Sequence, residues 1–182
     1  MFELYTEQAI MSLALAGDEA RARRYNFLGT EMLLMGLLLL GKGVAWQVLD
    51  EAGVTSESVG GAIADLVGER NDEVEPEIPF TAAATGAIEL AWYEAYFQAE
   101  LAYIGTEHLL LGLDRDHYLA RRILADLAPD LQIRESVYRL LKQPVIPHSL
   151  DIDESPHTIK CRYCNANIRN GAQFCLPCGA DL

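Results

Sequence analysis

The sequence predicts an all-helical fold, a pseudo-two-fold duplication of a four-helix unit giving eight helices, followed by a small cysteine-bearing tail. Three observations predict it. Leu28-Gly29-Thr30-Glu31-Met32-Leu33-Leu34-Met35-Gly36-Leu37 recurs as Ile104-Gly105-Thr106-Glu107-His108-Leu109-Leu110-Leu111-Gly112-Leu113, 76 positions later. Apolar residues recur at helical spacing with no sustained alternation of the strand kind. After Lys142 the chain turns polar and proline-punctuated, and all four cysteines lie beyond it. These boundaries divide the chain into a helical domain over 1–142, a flexible linker over 143–159 and a tail over 160–182.

In the first unit, Thr6 is placed to cap a helix whose inward positions are Ala9, Leu13, Ala16 and Ala20. Thr30 is expected to cap a short, very apolar second helix, with Glu31 in its first turn facing the positive end of the helix dipole. Val44, Val48, Leu49 and Ala52 mark a third helix, stopped at Gly53. A fourth carries Val59, Ile63, Leu66 and Val67 and stops at Gly68. In the second unit the pattern predicts helices over roughly 82–101, 107–113, 117–127 and 131–141. Tyr5-Thr6 matches Phe80-Thr81 at an offset of 75, so the second copy gains one residue before its Gly-Thr-Glu, near a helix end. A Pro- and Glu-rich stretch from Asn71 to Pro79 joins the copies.

Composition narrows the function classes. With 51% apolar and 23% charged residues the chain is of globular type, and two such units hold enough apolar surface for a core. Fourteen Lys and Arg against 27 Asp and Glu leave a formal charge of −13, which repels phosphate backbones and anionic lipid. The first residues lack the basic, then apolar, pattern of a secretory signal, and the greasy run Met32–Leu40 is far short of the ~20 residues a bilayer requires. The expected setting is cytoplasmic, with no membrane partner.

The tail carries Cys161-x-x-Cys164, ten residues, then Cys175-x-x-Cys178. Two such knuckles offer four thiolates to one tetrahedral zinc ion, a closed and therefore structural site. The competing reading is two disulfides or four idle thiols. A 23-residue tail lacks the apolar content to fold by burial, which favours the metal. From Lys160 to Leu182 the tail resembles the short carboxy-terminal zinc ribbons of many bacterial proteins.

A decoy lies at Gly36-Leu-Leu-Leu-Leu-Gly41-Lys42-Gly43, one residue from a phosphate-binding loop. Its leucines belong to a helix and it lacks the Ser or Thr that holds magnesium, so no nucleotide is expected. Trp92, Tyr93, Tyr96 and Phe97 crowd one helix on more than one face, read either as core or as an exposed partner patch. The residues present argue for no catalytic triad, no paired catalytic carboxylates and no open metal site, and no catalytic residue is assigned.

Tyr5-Thr6 or Phe80-Thr81, a helix, then Gly-Thr-Glu-His-Leu-Leu-Leu-Gly-Leu resembles the Clp N-terminal repeat domain, in its ClpC-type form, over both repeats. The resemblance implies an eight-helix module that docks adaptors and substrates. It further implies that Glu31 and Glu107, with Thr30 and Thr106, accept phosphoarginine on tagged proteins; the plainer reading makes both glutamates helix-start acids only. Two features depart from the family pattern: Met32 stands where the second copy has His108, and the loop before the third helix of each unit, acidic and glycine-rich in the family, is Leu39-Leu40-Gly41-Lys42-Gly43 in the first and Asp114-Arg115-Asp116-His117 in the second. The function so implied is a non-enzymatic accessory or adaptor protein of the Clp protease system, partnering Clp unfoldase or protease subunits or their substrates. The alternative is a zinc-ribbon nucleic-acid or transcription-associated factor, for which Lys160, Arg162 and Arg169 are the electrostatic case.

Overall fold

A computed structural model describes residues 4–68, 77–97, 103–142, 158–160 and 167–169, without the side chains of Tyr96, Phe97 and the last two segments. Among the described residues of its first compact unit, residues 1–145, eight helices run in order: α1 Glu7–Ala22, α2 Thr30–Leu39, α3 Val44–Glu51, α4 Ser56–Val67, α5 Ala82–Phe97, α6 Thr106–Leu113, α7 Leu119–Leu127 and α8 Ile133–Leu141. The second unit, residues 146–182, holds β1 Thr158–Lys160 paired antiparallel with β2 Asn167–Arg169, with Lys160 opposite Asn167.

Thr6 caps α1 as expected, its hydroxyl accepting from the Ala9 amide at 3.2 Å. Ala9, Ala16 and Ala20 are fully buried, and so are Ala84 and Ala91 at the matching positions of α5. Small residues on this face let a glycine on the next helix press directly against it. Gly36 of α2 sits on the Ser12 carbonyl and the Ala16 Cβ, and Gly112 of α6 sits on Ala87 and Ala91 in the same way. The recurring Gly-Leu, Gly36-Leu37 and Gly112-Leu113, is thus a helix-contact signature, which leaves the apolar residues beside it to fill the core.

The repeats are joined by an exchange of backbone. Tyr5 bridges Ile104, and Leu28 bridges Phe80, both parallel, so the segment before each repeat's first helix pairs with the segment before the other's second. Hydrogen bonds from Thr6 N to Ile104 O (2.9 Å) and from Thr81 N to Leu28 O (3.0 Å) close these bridges.

Several boundaries differ from expectation. Helix α7 starts at Leu119 because the Tyr118 amide is spent on a turn to Arg115 O. Helix α8 starts at Ile133 because the Leu131 amide bonds back to Ala128 O. Leu66, expected inside, lies on an exposed flank of α4. The expected end of α5 at 101 falls outside the described residues. The near phosphate loop is helical through Leu39, as expected. Among the described residues, no single helix is long and apolar enough to cross a membrane.

Candidate functional site

The starts of α2 and α6 are the equivalent points that the Gly-Thr-Glu repeats create. Thr30 does not cap α2: the N-cap is Gly29, and no side chain caps it. The Thr30 hydroxyl instead accepts from the Ala120 amide, at the start of α7 in the other repeat, at 3.3 Å. Thr106 does the reciprocal for the Ala45 amide of α3 at 3.4 Å. The sequence hid this because a threonine at a helix start has a local role by default, and only tertiary contact reassigns it.

Both glutamates curl back over the glycine two residues before them. A Cβ on Gly29 would collide with the Glu31 carboxylate, and one on Gly105 with that of Glu107. The backbone at both glycines is extended, φ −90° and −94°, so the requirement is space and not torsion. Glu31 is 3% exposed and Glu107 is 8% exposed. Oε1 of Glu31 is buried with no hydrogen-bond partner among the described residues. Burial pushes its carboxyl above the usual carboxylate range, against a smaller downward pull from its own backbone amide.

The two starts are not alike. His108, wholly buried, accepts the Gly105 amide at Nδ1 (2.9 Å), with Glu107 Oε1 3.5 Å from the same nitrogen. Accepting at Nδ1 holds the imidazole neutral with its proton on Nε2. Burial lowers the His108 pKa, and the carboxylates of Glu107 and Glu94 oppose that shift. Met32, its counterpart in α2, accepts nothing from Gly29. A histidine three residues after a glycine was the available signal, since that is the reach-back position of a capping box.

A second buried group escaped sequence reasoning. Glu94 of α5 and Arg134 of α8 form a two-pronged ion pair with both side chains nearly buried. In the first repeat Glu19, at the position matching Glu94, pairs instead with Arg23, the C-cap residue of its own helix, at 2.6 Å, and Arg23 reaches Gly60 O of α4 at 3.2 Å. Gly60 occupies the place in α4 that Arg134 holds in α8, judged from buried Val59 and Ile63 against Ile133 and Val137. The guanidinium is retained while its source helix changes.

The aromatic cluster resolves only partly. Trp92 is half-buried against the core and Tyr93 is half-buried; the side chains of Tyr96 and Phe97 lie outside the described residues. Cys161, Cys164, Cys175 and Cys178, the expected zinc ligands, also lie outside them. Among the described residues no cluster of three or more His, Cys, Asp or Glu could hold a metal ion.

Residues 4–127 match the family model for the Clp repeat (R) N-terminal domain. The chain belongs to this family. Over 143 residues it is 45% identical to the "ATP-dependent Clp protease ATP-binding subunit ClpA homolog" of Guillardia theta, covering 78% of this chain and 17% of the relative. It is 42% identical, again over 143 residues and 78% of this chain, to chloroplastic "Chaperone protein ClpC2" of Oryza sativa subsp. japonica, of which it covers 16%. The chain therefore spans about one sixth of the length of these relatives. Among solved structures, the N-terminal domain of ClpD from Arabidopsis thaliana superposes with a TM-score of 0.63 at 23% identity, over 78% of this chain and 97% of that one. The Hsp104 N-terminal domain of Candida albicans gives 0.65 at 16%, over 79% and 95%. Both are likenesses of fold.

Proposed function

We propose that this Clp N domain is a docking module for protein partners, and that the chain serves the Clp protease system as a non-enzymatic accessory or adaptor. The observation that carries the reading is the Glu31 carboxylate, buried at a helix start with one oxygen unpartnered. A carboxylate in that state gains from a cationic donor, and free amides at the same helix start favour an anion. A phosphoarginine side chain brings both, its guanidinium for Glu31 or Glu107 and its phosphate for the amides. Thr30 and Thr106 hold the frame of each site, with their hydroxyls engaged to the opposite repeat. Docking requires each glutamate to swing off its glycine, so binding exchanges an intramolecular contact for an intermolecular one. Family membership supports the reading, as does the printed description of one structural neighbour, a complex of the ClpV N-domain with a VipB peptide (TM-score 0.61, 21% identity).

Titration with a phosphoarginine peptide, against the same peptide carrying plain arginine, tests this. Binding should weaken by ~10-fold or more when Glu31→Ala and Glu107→Ala are combined, the loss of one charge-assisted contact. Equal binding by wild type and double variant would reduce the glutamates to helix-start acids. A native pull-down tests the partner class: Clp unfoldase or protease subunits are expected, and recovery of nucleic acid alone would favour the transcription-associated alternative.

For the tail, the proposal is one structural zinc held by Cys161, Cys164, Cys175 and Cys178. The β1–β2 pairing supports it, since Lys160 opposite Asn167 leaves six residues between the paired strands, Cys161 and Cys164 among them at ligand spacing. Elemental analysis of protein purified without chelator should find about one zinc per chain.

A further inference from the structure

The two Gly-Thr-Glu copies present the same three residues, yet only the first leaves them open. In the second, His108 Nδ1 takes the Gly105 amide at 2.9 Å, and the Thr106 hydroxyl lies 3.5 Å from Glu107 Oε2. In the first, no side chain reaches back to the Gly29 amide, and no backbone oxygen accepts it among the described residues. Glu31 Oε1 likewise has no partner there, on a residue only 3% exposed. A donor and an acceptor thus stand open together at the start of α2, while the matching pair at the start of α6 is engaged.

One position makes the difference. Met32 and His108 are both wholly buried behind their helix starts, but only the imidazole offers a good acceptor to the N-cap amide; a thioether is a weak one. The glutamates themselves do not distinguish the copies, since each carboxylate fills the room that a Cβ on its glycine would need. The charged loops beside the two starts work the other way. Gly43 abuts Thr106, which puts Lys42 in the loop next to the second start. The α7 start bonded to Thr30 is preceded by Asp114, Arg115, Asp116 and His117, with Asp114 paired to Arg121. Lys42, Asp116 and His117 are exposed and screened by water, whereas Gly29, Gly105 and both glutamates are buried. The buried groups decide the order.

Resting on the phosphoarginine reading of both copies, we propose that the first repeat is the principal phosphoarginine site and that His108 sets the second below it. When the guanidinium draws Glu31 off its glycine, Oε1 gains its missing donor and loses none. Glu107 gives up the Thr106 hydroxyl in the same movement. The phosphate then finds one more free amide at α2 than at α6, where the Gly105 amide is already held. His108 touches no ligand; it is a positioning residue that acts through Gly105.

Titration of the full chain with a peptide carrying a single phosphoarginine, followed by calorimetry and by the amide signals of the two glycines, tests the order. Glu31→Ala should weaken binding ~10-fold or more, and Glu107→Ala by ~3-fold at most. In the wild type the Gly29 amide proton should move downfield at lower peptide concentration than any shift at Gly105. Exchanging the buried residues should exchange the order. Met32→His should weaken binding by ~3-fold or more, and His108→Met added to Glu31→Ala should strengthen it by as much. If an exchange variant fails to fold, the wild-type glycine signals and the two glutamate variants decide. Equal losses in the glutamate variants, a larger loss in Glu107→Ala, or a Gly105 signal that moves with or before Gly29 overturns the order and leaves phosphoarginine docking standing. Folded exchange variants with unchanged affinity overturn the role of His108. Absence of binding by the wild type overturns both the order and the docking reading beneath it.

Discussion

The Thr30 hydroxyl in the first repeat accepts the Ala120 amide of the second at 3.3 Å, and Thr106 returns the bond to Ala45 at 3.4 Å. Each repeat thus finishes a helix of the other, and neither can lose its Gly-Thr-Glu without unpairing an amide in its partner copy. Both threonines and both alanines are buried. Thr30→Val keeps the shape and removes the acceptor, so the expected loss is ~1–3 kcal/mol for the stranded amide. Hydrogen exchange supplies the check that separates this role from a local cap: the amide that loses protection should be Ala120, not one in the first turn of α2.

Glu31 faces the opposite pressure. Burial raises its folded pKa above the unfolded value, so the native state binds the proton more tightly. Its stabilising contribution is present below the unfolded pKa and is lost as pH rises through the folded one. Glu31→Gln should therefore be more stable than wild type at neutral pH and gain nothing at about pH 3, measured by denaturant titration at both. If the same variant also weakens phosphoarginine binding at the first repeat, the glutamate is kept for docking at a cost in stability.

The Glu94–Arg134 and Glu19–Arg23 pairs allow a comparison within one chain. Arg134→Met removes the two-pronged partner of a nearly buried carboxylate, with an expected loss of ~3–5 kcal/mol. The Arg23 and Glu19 side chains are about a quarter exposed, so water takes over part of the lost pairing and Arg23→Met should cost distinctly less. Thermal unfolding of the two variants side by side checks the order; equal losses would mean that burial does not govern these pairs.

Legibility in the sequence followed locality. The repeat, the α1 cap at Thr6 and the inward faces of α1 and α3 were readable because period and spacing are local properties. Thr30 was misread because its partner, Ala120, is 90 residues away, and nothing near Thr30 announces it. Arg134 went unnoticed because a charged residue in an amphipathic helix reads as surface until its partner is known. At Gly29 and Gly105 the backbone is extended, and the carboxylate folded over each one is what excludes a side chain, a contact that the spacing of the residues does not announce. The glutamates were placed correctly at the helix starts, but their burial follows from packing that no spacing rule contains.

The most discriminating pH measurement concerns His108. Its Nδ1 holds the Gly105 amide, and it is faced by Glu107 from its own helix and by Glu94 from α5, whose charge is engaged by Arg134 of α8. Burial outweighs the two carboxylates and lowers the folded pKa, so the unfolded chain takes up the proton first as the solution is acidified. The contribution to stability is full above the unfolded value of about 6.5 and falls as pH drops through the folded one. Replacing the residue by its counterpart from the first repeat, His108→Met, removes the titrating group and the cap together. That variant should be less stable at pH 7.5 by ~0.5–2 kcal/mol, the worth of a cap. It should then lose less than wild type between pH 7.5 and pH 5. If both proteins lose the same amount over that interval, the acid sensitivity lies in other groups and His108 is a cap whose titration does not matter.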